Sequence, residues 1–167
     1  KKAVRKHLEE MPEGPGFKPL FNEKDRAGWK GLVGNPLKRA EMDPRTLERQ
    51  QKEADEKMRE SWKVEDGKLI FTGEGENIST VKKYGDFEMY IDWKIEEGGD
   101  AGIYLRGTPQ VQIWDPAFHG DDAPIGSGGL FNNKINESKP LKVADNPVGE
   151  WNNFHIIMEG DGVTVYL

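Results

Sequence analysis

Nine residues in the middle of the chain constrain the fold more than any other segment. From Phe87 to Ile95, apolar side chains at the odd positions alternate with Glu88, Tyr90, Asp92 and Lys94 at the even ones. A period of two is typical of a β-strand that turns one face to a core and the other to water. The segment therefore predicts an antiparallel sheet with one buried face.

Shorter segments with strand character lie on both sides of this one, and turn residues separate them. They are Lys63–Glu65, Lys68–Thr72, Asn77–Val81, Ala101–Gly107, Val111–Asp115, Trp151–Glu159 and Val163–Leu167. Between the first two, Asp66-Gly67 predicts a type I′ hairpin turn. Many short strands, 20 Gly, 10 Pro and no Cys in 167 residues predict an all-β fold with a core large enough to need no disulfide.

One segment has a helical period instead. Asp43 before Pro44 forms an N-cap and first-turn pair. Apolar or long side chains then recur at helical spacing, at Leu47, Gln51, Ala54, Met58 and Trp62. We therefore expect one inserted surface helix, Asp43–Trp62, with a solvated charged face.

The two ends of the chain differ from its middle. Residues 1–16 are charged and then interrupted by Pro and Gly, which predicts an N-terminal arm and linker before one sandwich domain at 17–167. The chain opens on Lys1-Lys2, so we expect a leader that was removed or omitted. It stops in mid-strand at Leu167, which predicts truncation at the C-terminus.

Charge and hydropathy exclude two classes of partner. The net charge is -6, from 24 basic and 30 acidic residues, and no basic stripe stands out, which argues against nucleic acid. No apolar run is long enough to span a bilayer.

The long irregular segment Pro116–Pro147, with one short strand expected at Gly126–Phe131, is typical of a functional loop.

The polar faces of three strands carry side chains of the kinds that can hold a sugar. If the strands are neighbours, alternation places six side chains on one side. Aromatic rings stack on sugars, and Arg, Asp and Gln pair with hydroxyls. The six are Tyr90, Asp92, Tyr104, Arg106, Gln112 and Trp114. The alternative is an ordinary cross-strand ion pair between Asp92 and Arg106.

Motifs along the chain resemble the 3-keto-disaccharide hydrolase family. They stand in order from Phe17 to Leu167, as Pro19–Asp25, Trp62–Gly67, Gly99–Arg106, Val111–Asp115 and Glu150–Asn152. The resemblance implies a concanavalin A-like lectin/glucanase β-sandwich of the jelly-roll kind. It also implies a periplasmic or cell-envelope setting and action on glycosides oxidised at C3.

A ketone at C3 acidifies the hydrogen at C2, so the glycosidic bond can break by elimination followed by hydration. This route needs a base near C2 and a cation at the C3 oxygen. Asp92 or His155 is the candidate base and Arg106 the enolate partner. His155 is also explained as a half-exposed strand residue. The candidate substrate-binding residues are Tyr90, Tyr104, Gln112, Trp114, Asp115 and His119.

Alternatives to this reading stay open. We expect no cofactor, although a divalent metal is conceivable at His119, Asp121 and Asp122 near Asp115; their spacing fits no known loop signature. The expected partner is a small carbohydrate substrate, and the sequence leaves the oligomeric state open. The competing function is a non-catalytic carbohydrate-binding module, for which the same polar face suffices without a base.

Overall fold

A computed structural model describes residues 16–117, 126–131 and 133–167. The described residues form two compact units, which divide between Lys83 and Tyr84. The arm expected at 1–16 lies outside the described residues except for Gly16. The single domain expected at 17–167 stays a prediction, because two compact units can belong to one domain.

The first unit contains two small antiparallel pairs. Strand β1 (Trp29–Gly31) pairs with β4 (Ile78–Thr80), and β2 (Trp62–Glu65) pairs with β3 (Lys68–Phe71). The predicted type I′ turn between β2 and β3 is confirmed, since Asp66 and Gly67 have φ values of 51° and 71°.

Two helices precede β2, where the sequence predicted one. The predicted helix is α2 (Pro44–Ser61), and its N-cap is confirmed because the Asp43 carboxylate accepts backbone hydrogen bonds from the next turn. The second helix, α1 (Pro36–Glu41), corrects the prediction of a single helix. It begins with similar signals, an Asn35 cap and Pro36. It buries no residue, so it has no apolar stripe that the sequence could reveal.

The second unit contains two antiparallel sheets. Strands β5 (Phe87–Trp93), β8 (Asn152–Glu159) and β9 (Gly162–Tyr166) form one sheet in the order β5-β8-β9. Strands β6 (Asp100–Tyr104) and β7 (Gln110–Trp114) form the other, as a hairpin.

The core of this unit lies between the two sheets. Phe154 and Ile156 of β8 and Val111 of β7 are fully buried, and they cluster with Leu105, Ile113, Trp93 and Met158. Burial of one such side chain stabilises a fold by roughly 1.5–3 kcal/mol. The all-β sandwich is thereby confirmed, and its two outer faces point away from each other.

Strand order corrects one premise of the sequence prediction. We expected β5, β6 and β7 to be neighbours, but β5 pairs with β8, and β6 and β7 belong to the other sheet. Polar residues of β5 and polar residues of β6 and β7 therefore lie on opposite sides of the sandwich. Neither helix in the described part of the chain is long and apolar enough to cross a bilayer.

Candidate functional site

A cleft of about 430 Å³ lies on the outer face of the β6-β7 sheet. Its floor is formed by Gln112 and Trp114, which alternate with the core residues Val111 and Ile113 along β7. The wall comes from the segments on either side of residue 132, with Gly126, Gly129, Leu130, Phe131, and residues 133–139.

The first part of the wall is an extension of the sheet. The backbone of Gln112 donates to Gly129 and accepts from Gly128, both at 2.9 Å, and Leu130 forms a bridge with Val111. The short strand expected at Gly126–Phe131 thus follows the free edge of β7, although it forms a single bridge. This pairing holds the wall against the floor.

The indole of Trp114 is fixed by the same segment. Its Nε1 donates to the Gly126 carbonyl at 2.8 Å, and the ring meets Phe131 edge to face with centroids 6.5 Å apart. The Asp145 carboxylate holds the turn by accepting from the Ser127 amide. Position 126 requires glycine, because its φ is +73° and a Cβ would lie 2.4 Å from an Asp145 carboxylate oxygen.

Gln112 is the buried polar group of the cleft floor. It is only 3% exposed, and its Nε2 donates to the Asp100 carboxylate at 2.6 Å and to the Ala101 carbonyl at 3.0 Å. Its Oε1 receives a long contact of 3.4 Å from Gln110. The side chain is therefore fixed below the cleft floor, and its Nε2 is already used by the Asp100 carboxylate.

Tyr90, Asp92 and His155 lie on the outer face of the opposite sheet, so the predicted patch of six residues is wrong. The sequence assigned Tyr90 and Asp92 to the correct face of β5, but β5 belongs to a different sheet from β6 and β7. On that face the rings of Tyr90 and His155 stack with centroids 4.2 Å apart, and Asp92 accepts from Asn153 at 2.7 Å. The alternative of a cross-strand ion pair between Asp92 and Arg106 is therefore also wrong, because Asp92 pairs with Asn153 across β5 and β8.

Glu88 joins this outer-face group. Its Oε1 lies 2.7 Å from His155 Nε2 and accepts from the Tyr90 hydroxyl at 3.2 Å. Desolvation raises the pKa of Tyr90, and the hydrogen bond to the Glu88 carboxylate raises it further.

Arg106 lies in the turn after β6, not on the sheet face. It has a left-handed backbone with φ of +53°. Its guanidinium donates to the Gly160 carbonyl in the β8–β9 turn and lies 3.9 Å from the Asp86 carboxylate. Asp86 also accepts from the Gly160 amide at 2.9 Å. Arg106 therefore connects the hairpin to the other sheet, and it does not meet Asp92 as predicted.

The other predicted binding residues divide three ways. Tyr104 lies on the cleft side of β6 and is 54% exposed. Asp115 is buried, and its two carboxylate oxygens accept from the amides of Gly98 and Ala117, which leaves little of it for a sugar. His119 lies outside the described residues. The catalytic and binding roles of all nine residues stay predictions.

The cleft and its strands lie within a region that matches a known family. A family model described as the 3-keto-alpha-glucoside-1,2-lyase-like domain matches residues 16–167. The chain belongs to this family.

Two relatives of this lyase-like domain carry names of their own. A 3-keto-disaccharide hydrolase of Bacteroides thetaiotaomicron is 21% identical over 192 aligned positions, which cover 94% of this chain and 58% of that protein. A crystal structure of a candidate glycosyl hydrolase from Parabacteroides distasonis superposes with a TM-score of 0.62 at 24% identity, covering 88% of this chain and 65% of that one. The chain thus spans about three fifths of the length of these relatives, and the structural match shows the fold.

Sequence reasoning missed three residues of this family member that line or support the cleft. Asp100 shares the cleft side of β6 with Tyr104, and alternation alone would have found it. Phe131 and Asp145 come from the irregular segment, where no period predicts which way a side chain points. For metals, the described residues contain no group of three or more His, Asp or Glu able to hold an ion, and His119, Asp121 and Asp122 lie outside them.

Proposed function

We propose that the protein cleaves glycosides oxidised at C3, and that the substrate binds in the cleft over Gln112 and Trp114. The observation that carries the proposal is the match of the lyase-like family over residues 16–167. The cleft lies inside that region, and its size suits one or two sugar rings. Its floor offers an indole for stacking, and Asn133 and Asn136 on its wall offer amides for hydroxyls.

The proposed chemistry is elimination followed by hydration. A base removes the hydrogen at C2, the C–H electrons form an enolate with the C3 ketone, and the enolate expels the glycosidic oxygen from C1. The leaving oxygen takes up a proton, and water then adds across the C1–C2 double bond. A group near the C3 oxygen must stabilise the enolate. This route differs from the paired-carboxylate mechanism of ordinary glycosidases.

The cleft supports this chemistry differently from the sequence prediction. Asp92 and His155 lie on the opposite outer face, whereas Glu137 lines the cleft and Asp100 lies beside its floor. Lys134 and Lys139 also line it and offer cations to an enolate oxygen. Proton transfer from this side therefore has the Glu137 carboxylate available, whereas the Asp100 carboxylate is held by Gln112.

The test is turnover of a C3-oxidised disaccharide by the full-length protein, followed by chromatography of the released sugars. Wild type should release both sugars, and Trp114→Ala should lower kcat/KM by about tenfold or more because the stacking face is lost. Tyr166→Ala removes an exposed aromatic ring from the opposite outer face and should leave kcat/KM unchanged. A folded wild type that leaves every C3-oxidised disaccharide intact contradicts the proposal.

A second candidate is a non-catalytic carbohydrate-binding module. It is favoured by the neutral amides that line the cleft at Asn133 and Asn136, which bind hydroxyls without titrating. Calorimetry with unoxidised glycans separates the two functions. Binding of an unoxidised glycan, without turnover of its C3-oxidised form, identifies a module.

The cell-envelope setting is a separate proposal that rests on the family resemblance. Fractionation of cells that express the full-length protein from its natural gene tests it. Recovery with the cytoplasmic fraction contradicts that setting without affecting the proposed reaction.

A further inference from the structure

Asp100 is an exposed carboxylate at a fixed position beside the cleft floor. Its partner in the β6–β7 register is Trp114, so the two side chains leave the sheet on the same side. Side chains that face each other across an antiparallel pair have Cβ atoms about 4.5–5.5 Å apart. A sugar stacked on the Trp114 indole therefore has its edge within reach of this carboxylate.

The hydrogen bond from Gln112 fixes one oxygen and leaves the other for a ligand. Gln112 Nε2 donates to Asp100 Oδ1 at 2.6 Å, and Gln112 is itself buried and held by the Ala101 carbonyl. Among the described groups, none donates to Oδ2. A carboxylate that is held at one oxygen and open at the other suits the hydrogen of a sugar hydroxyl.

Glu137 is a second carboxylate on the cleft side among the described residues, and the geometry distinguishes it from Asp100. Glu137 lines the cleft from the loop at 133–139, where no described side chain or amide holds its carboxylate. Asp100 stands on a strand and is anchored by a buried residue. Groups that select a substrate need a position fixed by rigid elements and by supporting hydrogen bonds.

We propose that Asp100 is a specificity-determining residue whose carboxylate accepts a hydroxyl of the sugar that stacks on Trp114. Gln112 acts as its positioning residue. The inference rests on the proposed function and deepens it, because it assigns recognition of a hydroxyl-bearing ring to one named group.

The experiment couples changes in the protein to changes in the substrate. The full-length wild type, Asp100→Asn and Asp100→Ala are assayed on a C3-oxidised disaccharide and on a panel in which each member lacks one hydroxyl away from C2. Loss of a hydroxyl that binds a charged group should cost wild type about 10- to 100-fold in kcat/KM. On the same deoxy substrate, Asp100→Ala should lose less than about threefold in kcat/KM, because the carboxylate that binds this hydroxyl is already absent from the variant. Asp100→Asn keeps the contact with Gln112 and should show an intermediate coupling.

Asp161→Asn changes an exposed carboxylate in the β8–β9 turn, away from the cleft; it is the matched control and should lose as much as wild type on that substrate. The proposal is overturned if Asp100→Ala loses as much kcat/KM as wild type on every deoxy substrate, because the effects of the substitution and of the missing hydroxyl are then independent. So does a folded Asp100→Asn variant that turns over no substrate at all, since this places Asp100 in the chemical step. Wild type without turnover overturns the proposed function and this inference together, whereas an active wild type without coupling overturns this inference alone.

Discussion

Arg106 shows how one backbone angle relocates a side chain. Continued alternation would have placed it beside Tyr104 on the cleft side of β6. The strand ends at Tyr104 instead, and the left-handed backbone at Arg106 turns its guanidinium toward the Gly160 carbonyl of the other sheet. A non-glycine residue in this region costs roughly 1–2 kcal/mol of backbone strain, which the contacts of the side chain must offset.

Arg106→Ala should lower the free energy of unfolding by about 0.5–1.5 kcal/mol, because it removes a charged donor from the exposed Gly160 carbonyl. Arg106→Gly loses the same contact but relieves the strain, so it should be more stable than Arg106→Ala by about 1 kcal/mol. Urea unfolding at constant m-value measures both. Equal stability of the two variants contradicts the account of strain. Loss of turnover in both folded variants would support the catalytic role that the sequence suggested.

The stability of the fold should depend on pH through Tyr90, which lies on the outer face of β5. Its pKa is raised from the ordinary value of 10.0 by desolvation and by the Glu88 carboxylate. A raised pKa means that the fold favours the protonated phenol. This contribution to stability is complete below the unfolded pKa and is lost as the pH rises through the folded pKa.

Wild type should therefore lose stability more steeply than Tyr90→Phe as the pH rises through and above about 10. The measurement is the urea midpoint of both proteins at neutral pH and across this alkaline range. Tyr84→Phe serves as the control for general tyrosine ionisation. Parallel alkaline limbs for wild type and Tyr90→Phe rule out the contribution from Tyr90.

The contact of helix α2 with strand β1 depends on the absence of a side chain at Gly31. A Cβ there would lie 2.0 Å from the Ala54 carbonyl oxygen and 2.9 Å from the Ala54 Cβ. The helix is also tied to this residue by side-chain bonds, since the Gly31 amide donates to Asp55 and its carbonyl accepts from Gln51, both at 2.9 Å. The close approach of α2 to β1 and the hydrogen bonds of Gly31 to Asp55 and Gln51 thus depend on each other.

Gly31→Ala should lower the free energy of unfolding by about 1–3 kcal/mol or more, because backbone atoms rather than a flexible side chain must move. Thermal or urea unfolding measures the change. Gly85→Ala is the matched control, since a Cβ there meets nothing within 4 Å, and it should change stability by about 0.5 kcal/mol at most. A Gly31→Ala variant as stable as the Gly85→Ala variant would show that helix and strand are not closely packed.

Element by element, the sequence predicted what depends on local period and missed what depends on pairing. The strand Phe87–Trp93, the Asp66-Gly67 turn and the Asp43 cap each follow from a few adjacent residues. The partner of β5 lies about sixty positions away at β8, and no local pattern specifies which strand pairs with which. The prediction failed for Tyr90 and Asp92 for this reason, since their faces were correct but their sheet was not, whereas Arg106 was misplaced because β6 ends at Tyr104. The first part of the cleft wall was predicted as a short strand at Gly126–Phe131, whereas residues 133–139 escaped prediction because they have no period.

At the scale of the whole molecule, core and cleft use aromatic side chains in different ways. Phe154 is fully buried between the sheets, and Phe131 is 47% exposed at the cleft wall against Trp114. The first makes contacts on all sides and the second on one. If the cleft is the functional site, the two roles should separate in experiment even though the residue type is the same.

Phe154→Ala should cost about 3–5 kcal/mol, since it leaves a cavity in the shared core. That is a large part of the 5–15 kcal/mol typical of a domain, so unfolding should occur at much lower urea. Phe131→Ala should cost about 1 kcal/mol or less yet weaken substrate binding, because it removes the ring that supports the Trp114 indole. Paired urea titrations and kcat/KM values measure both effects. A Phe131→Ala variant with reduced stability and full activity would reverse the assignment, and it would show that the cleft wall serves the fold and not the substrate.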